Sequence, residues 1–99
     1  MLETIGNTPA VPLKTIVPKN SASVWVKLES FNPTGSYKDR VALSMVQGAL
    51  EDGHVEQGKR LLECTGGSTG TSLAFVCAIK NIPFTIISSD VYTDKKYEC

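Results

Sequence analysis

Apolar residues are spaced in three different ways along this chain. Over residues 1–23 they stand singly: Leu2, Ile5, Val11, Leu13, Ile16 and Val17 are separated by Gly6-Asn7-Thr8-Pro9, Pro12, Pro18 and Asn20-Ser21. Proline removes a backbone donor and the Gly/Asn pairs bend the chain, so short edge strands or extended arms are expected, lying on something else. Val24-Trp25-Val26-Lys27-Leu28 alternates poorly but is rich in strand formers and predicts a strand. The spacing then becomes helical. At about 100° per residue, Val41, Ala42, Met45, Val46 and Ala49 fall in one stripe with Lys38 inside it, and Arg40, Ser44, Gln47 and Glu51 lie opposite. Pro33 and Gly35 end the strand, Ser36 is placed as an N-cap with Asp39 three residues on, and Asp52-Gly53 stops the helix, which runs from Tyr37 to about Leu50.

Past a polar connection at 54–59, in which His54 reads as a solvated turn residue, Arg60-Leu61-Leu62-Glu63-Cys64 predicts a short buried strand. Leu73-Ala74-Phe75-Val76-Cys77-Ala78-Ile79 is apolar all round, the mark of a buried helix, closed by Lys80-Asn81. Residues 83–88 predict another strand. Strand, glycine-rich turn, helix and strand form a βαβ unit, so strands 60–64 and 84–88 are expected to be parallel with a right-handed crossover. After Asp90 a further helix is expected, with Thr93 as candidate cap. So few strands leave sheet faces and edges unsealed, and the chain reads as the front of something longer.

Composition narrows the classes. Ninety-nine residues make one small domain or a piece of a larger one. Ten basic and ten acidic residues give zero net charge, which argues against an electrostatic grip on nucleic acid or an anionic membrane. No apolar run approaches the roughly 20 residues needed to span a bilayer. Residues 1–5 lack the regions of a signal peptide. The three cysteines, Cys64, Cys77 and Cys99, form no CxxC, and the single His54 has no metal partner nearby in sequence. An odd cysteine count without a secretion signal fits a reducing compartment, so a cytoplasmic α/β domain is expected.

Two stretches carry chemistry. Thr65-Gly66-Gly67-Ser68-Thr69-Gly70-Thr71-Ser72 lies between a strand and a helix, where backbone N–H groups and the positive helix end make an anion site supplemented by hydroxyls. It has neither Walker A nor GxGxxG spacing, so a carboxylate or other small anion suits it better than a nucleotide phosphate; the alternative is a tight turn whose glycines serve backbone geometry alone. The second stretch centres on Lys38. Desolvation and a positive helix end would favour its neutral amine, the form that attacks carbonyls. Alternatively, Lys38 reaches water past its apolar stem, or pairs with Asp39 or Glu29. Asp39 reads as a helix-start dipole partner, Arg40 as a surface or ion-pair group, and Tyr37 and Trp25 as packing residues.

Asn32-Pro33-Thr34-Gly35-Ser36-Tyr37-Lys38-Asp39-Arg40 resembles the cofactor-lysine motif of fold-type II pyridoxal-phosphate enzymes, closest to cysteine synthase. Ile5-Gly6-Asn7-Thr8-Pro9 looks like that family's N-terminal signature, and Thr65-Gly66-Gly67-Ser68-Thr69-Gly70 occupies the place of its substrate-carboxylate loop. The resemblance covers nearly the whole chain but only roughly the first third of the usual family length, and that length exceeds one small α/β unit. It implies an α/β fold, a three-layer βαβ arrangement with a partly parallel sheet, as the N-terminal part of the tryptophan-synthase-β-like architecture. Residues 1–30 would be an arm and strand packing on a further domain, and 31–99 the start of the small α/β domain.

The cofactor implied is pyridoxal 5'-phosphate, held by Lys38, which would also move the substrate's α-proton. Thr65, Gly66, Gly67, Ser68 and Thr69 would bind the α-carboxylate of a small amino-acid substrate. In the family, O-acetylserine loses acetate to give an aminoacrylate and sulfide adds to form cysteine; a homodimer is implied, with no nucleic-acid or membrane partner. Ser68 stands where the family usually has an asparagine that also touches the cofactor, and serine reaches less far. The family's glycine- and threonine-rich phosphate cup lies beyond the matched stretch, so these 99 residues alone are expected to be inactive. Alternatives are a threonine synthase or serine/threonine dehydratase fragment, and a non-catalytic module binding a small anion or a partner chain.

Overall fold

In the computed structural model of the chain, residues 1–56 and 58–89 are described. The expected third helix with Thr93, and Cys99, lie outside them. The elements run β1 (Ala10–Pro12), β2 (Trp25–Lys27), α1 (Lys38–Glu51), β3 (Leu61–Cys64), α2 (Ser68–Ile79) and β4 (Phe84–Ile87), with short 3-10 turns at Leu2–Thr4 and Glu29–Phe31. β1 pairs with β2 antiparallel, Val11 opposite Val26, so one of the isolated apolar stretches of the N-terminal arm does become an edge strand. β3 pairs with β4 in parallel, Leu61 opposite Phe84 and Cys64 opposite Ile87, as the βαβ pattern requires.

The core forms where α1 meets α2. Ala42 and Val46 of α1 and Leu73, Val76 and Cys77 of α2 are fully buried, flanked by Leu2, Ile5, Leu61, Ile82 and Phe84. Burying a valine or leucine is worth about 1.5–3 kcal/mol, so a core of this size stabilises the fold only modestly. At Gly70 a Cβ would lie 2.6 Å from Thr65 Cγ2 and 3.1 Å from Ile86 Cδ1, so glycine is what lets α2 settle on the sheet. α1 stops as expected: Gly53 takes a left-handed φ of +72°, and His54 N–H returns to Ala49 O at 2.9 Å.

Several expectations need correcting. The inward face of α1 is Asp39, Ala42 and Val46, so the stripe is rotated one residue forward; Val41 and Met45 are partly exposed and Lys38 is half-buried at the flank. The capping box does not form, because Asp39 turns to Thr34 instead of back to Ser36. Trp25 and Tyr37, read as packing residues, are 62% and 55% exposed. β3 is covered on one face only: Leu61 packs inward, while Leu62 is 58% exposed and Cys64 is exposed. The uncovered sheet face also carries Ile87, and no described residue supplies a layer over it. No helix among the described residues is long and apolar enough to cross a membrane.

Candidate functional site

The start of α1 is set by a turn with almost no unspent polar groups. Gly35, at φ +81°, donates its N–H to Asn32 O at 2.8 Å and swings the chain into the helix. Ser36 Oγ accepts the Lys38 N–H at 3.1 Å. The Asp39 carboxylate is fully buried; Thr34 N–H donates to its Oδ2 at 2.8 Å and the Thr34 hydroxyl to its Oδ1 at 2.5 Å. With that proton committed, the Ser72 hydroxyl must be the donor in the 3.2 Å contact with Thr34 Oγ1. One threonine thus ties the first turn of α1 to Ser72, the fifth residue of α2.

Lys38 is the first residue of α1, and its Nζ lies 4.8 Å from the centroid of the Tyr37 ring. Neither expected ion pair forms. Asp39 is satisfied by Thr34, and Glu29 is claimed by Arg40, whose Nε donates to Oε2 at 2.8 Å and Nη2 to Oε1 at 3.1 Å. Among the described residues the Lys38 amine makes no ion pair.

Glu29 also accepts from Thr8 Oγ1 at 2.6 Å and Asn32 Nδ2 at 2.8 Å, with Lys27 Nζ 3.8 Å away. The Arg40 guanidinium first, then the Thr8 hydroxyl, hold its carboxyl down from an ordinary 4.5 to about 2. Desolvation of the carboxyl itself works in the opposite direction but is outweighed. The Arg40 guanidinium is in turn held more firmly protonated by Glu29.

The second stretch divides into turn and helix. Thr65, Gly66 and Gly67 form the turn, and Ser68 and Thr69 already belong to α2. Thr65 N–H extends the parallel ladder to Ile87 O at 2.9 Å, while Gly67 N–H reaches Thr65 Oγ1 only at a long 3.4 Å. No side chain caps α2. Ser68 and Thr69 therefore open the helix where N–H groups have no intrahelical acceptor, and Ser68 is exposed. The structure brings Lys38 and this loop to neighbouring helix starts through Thr34 and Ser72. Sequence reasoning missed Thr34, Asp39 and Ser72 as the link. The available signal was Asp39 standing in register with Ala42 and Val46, an acidic group on an apolar face that required a buried partner.

The model of the family described as pyridoxal-phosphate dependent enzyme matches residues 1–98. Cysteine synthase B of Salmonella typhimurium is 46% identical over 88 residues, which is 89% of this chain and 29% of the relative. O-ureido-L-serine synthase of Streptomyces lavendulae is 45% identical over 93 residues, 94% of this chain and 28% of the relative. A crystal structure of O-ureido-L-serine synthase superposes with a TM-score of 0.84 at 46% identity, covering 92% of this chain and 28% of that one. The chain belongs to the pyridoxal-phosphate-dependent enzyme family. Within it, the match is to the N-terminal portion of the cysteine synthases and their homologues, and the chain spans somewhat under a third of the curated relatives' length.

Proposed function

We propose that these residues form the lysine-bearing part of a pyridoxal-phosphate-dependent enzyme that replaces the β-substituent of O-acetylserine with sulfide. The observation that supports the reading is the Thr34–Ser72 contact, which links the turn before the Lys38 helix to the helix that follows the 65–67 turn. The residues present suit the cofactor: Lys38 has an amine with no ion pair among the described residues, and Ser68 is an exposed hydroxyl at a positive helix end. Bound pyridoxal phosphate supplies an electron-withdrawing ring that stabilises negative charge at a substrate α-carbon.

Lys38 Nζ holds the cofactor, then takes and returns the proton at the α-carbon. Thr65, Gly66, Gly67, Ser68 and Thr69 receive the α-carboxylate, aided by the roughly half charge of the α2 N-terminus, and Ser68 also faces the cofactor. Cysteine and O-ureidoserine, the products named for the two relatives, differ in the group on the β-carbon and share the amino-acid end. Residues binding the shared end are what a common N-terminal portion would supply.

These 99 residues alone are proposed to be inactive, because a single bond to Lys38 fixes neither the cofactor's phosphate nor its ring. The test is a hybrid in which residues 1–99 replace the matching segment of Salmonella typhimurium cysteine synthase B. The hybrid should convert O-acetylserine and sulfide to cysteine and lose that activity with Lys38→Ala, while the 99-residue chain shows no turnover. Hybrid activity that survives Lys38→Ala, or turnover by the short chain at the hybrid's rate, would overturn the reading.

A further inference from the structure

The Gly6-Asn7-Thr8-Pro9 signature takes no part in the chemistry above, yet it is bonded closely to the lysine turn. Gly6 N–H donates to Asn32 Oδ1 at 2.8 Å, while Asn32 Nδ2 donates to Glu29 O at 2.9 Å and to Glu29 Oε2 at 2.8 Å. Asn32 is only 3% exposed, so water has little room to replace a lost partner. Thr8 sits at the centre of the other side. Its hydroxyl donates to Glu29 Oε1 at 2.6 Å and accepts from Lys27 Nζ at 2.8 Å and Arg40 Nη2 at 3.3 Å. Gly6 has φ +86°, and a Cβ there would stand 2.9 Å from Arg40 Nη1, so the backbone itself is fitted against the guanidinium.

The four acceptor sites of the Glu29 carboxylate are filled by Thr8, Asn32 and the two donors of the Arg40 fork. Asn32 precedes Lys38 and Arg40 follows it. Fixing both brackets fixes the direction in which the first turn of α1 leaves the sheet. A planar fork and a carboxamide fit this task because each specifies an orientation as well as a distance.

We propose that the N-terminal signature is a template for the lysine turn, with Thr8 a positioning residue that acts through Glu29 on Asn32 and Arg40 and so aims the Lys38 amine. Its use in catalysis rests on the reading of Lys38 given above; the bonding itself does not. The test is residue-resolved amide hydrogen exchange on the 99-residue chain. Thr8→Val should speed exchange at Gly35, Asp39 and Arg40, whose N–H groups bond within this turn, by roughly tenfold, the scale of one lost bond to a charged partner. The amides of α2 should be unchanged, Thr8→Ser should restore the parent rates, and Arg40→Lys should reproduce the pattern of Thr8→Val.

Acceleration confined to residues 1–12, equal acceleration in both helices, or a Thr8→Ser variant that behaves like Thr8→Val overturns the template. In the hybrid enzyme, Thr8→Val should also lower the share of borohydride-trapped pyridoxal phosphate found on Lys38, and an unchanged share counts against it. The two readings fail separately. A parent hybrid with no adduct on Lys38 contradicts the cofactor assignment, whereas the exchange pattern, which involves no cofactor, decides the template.

Discussion

At the start of α1 nearly every polar group is engaged, whereas at the start of α2 few are. Asn32, Thr34, Ser36, Asp39 and Arg40 all have close partners within the turn or across to residues 6–29. Thr65 N–H bonds Ile87 O and Gly67 O accepts from Gly70 N–H. The only side-chain bond within Thr65 to Thr69, however, is the long one from Gly67 N–H to Thr65 Oγ1, and no side chain caps α2. An amine that must reach one atom benefits from a rigid platform, because misplacement by an ångström is costly in rate. A loop meant to receive an anion needs donors that the protein has not already used. The same α/β unit thus carries a saturated helix start and an unsaturated one, joined by the Thr34–Ser72 contact.

The comparison can be broken most severely at Lys38. In the hybrid enzyme Lys38→Ala should cut turnover by roughly 10²–10⁴-fold or more, the scale of a lost proton-transfer group, while leaving the thermal midpoint of the cofactor-free protein nearly unchanged. Next in size is Asp39→Ala, which leaves the Thr34 N–H and hydroxyl without their acceptor in a buried site. Denaturant unfolding should show a loss of about 2–4 kcal/mol. Gly70→Ala tests the other helix start: the clash with Thr65 and Ile86 should cost about 1–3 kcal/mol, partly offset by up to about 1 kcal/mol of helix propensity.

The smallest effect is a pH dependence that separates the two starts. The Glu29 carboxyl is held at about 2 in the fold against an ordinary 4.5, so its contribution is complete above 4.5 and is lost as pH falls through 2. Unfolding midpoints measured across that window should decline more in the parent chain than in Glu29→Gln, which has no carboxyl to protonate.

Much of the architecture was legible because it rests on spacing. The 3.6-residue pattern placed α1 to within a residue at each end, and the strand, turn, helix, strand order required β3 and β4 to be parallel. The rotation of α1 was not legible. Lys38 lies inside the apolar stripe read from the sequence and Asp39 at its edge, yet it is Asp39 that turns inward, onto the two donors of Thr34. The capping-box spacing misled for the same reason, since Thr34 offers Asp39 two donors and Ser36 would offer one. Within 65–72 the glycines concealed where the helix begins. Gly67 precedes α2 and Gly70 lies inside it, retained for contact with the sheet. The Thr8–Glu29–Arg40 network joins residues up to 32 positions apart, a distance no local pattern registers.

The most direct test of the account is to add pyridoxal phosphate to the hybrid enzyme, reduce with borohydride and map the modified lysine by peptide mass. One stoichiometric adduct, on Lys38, is expected. An adduct spread over Lys14, Lys19, Lys27 and Lys59, or concentrated on any lysine other than Lys38, would contradict it.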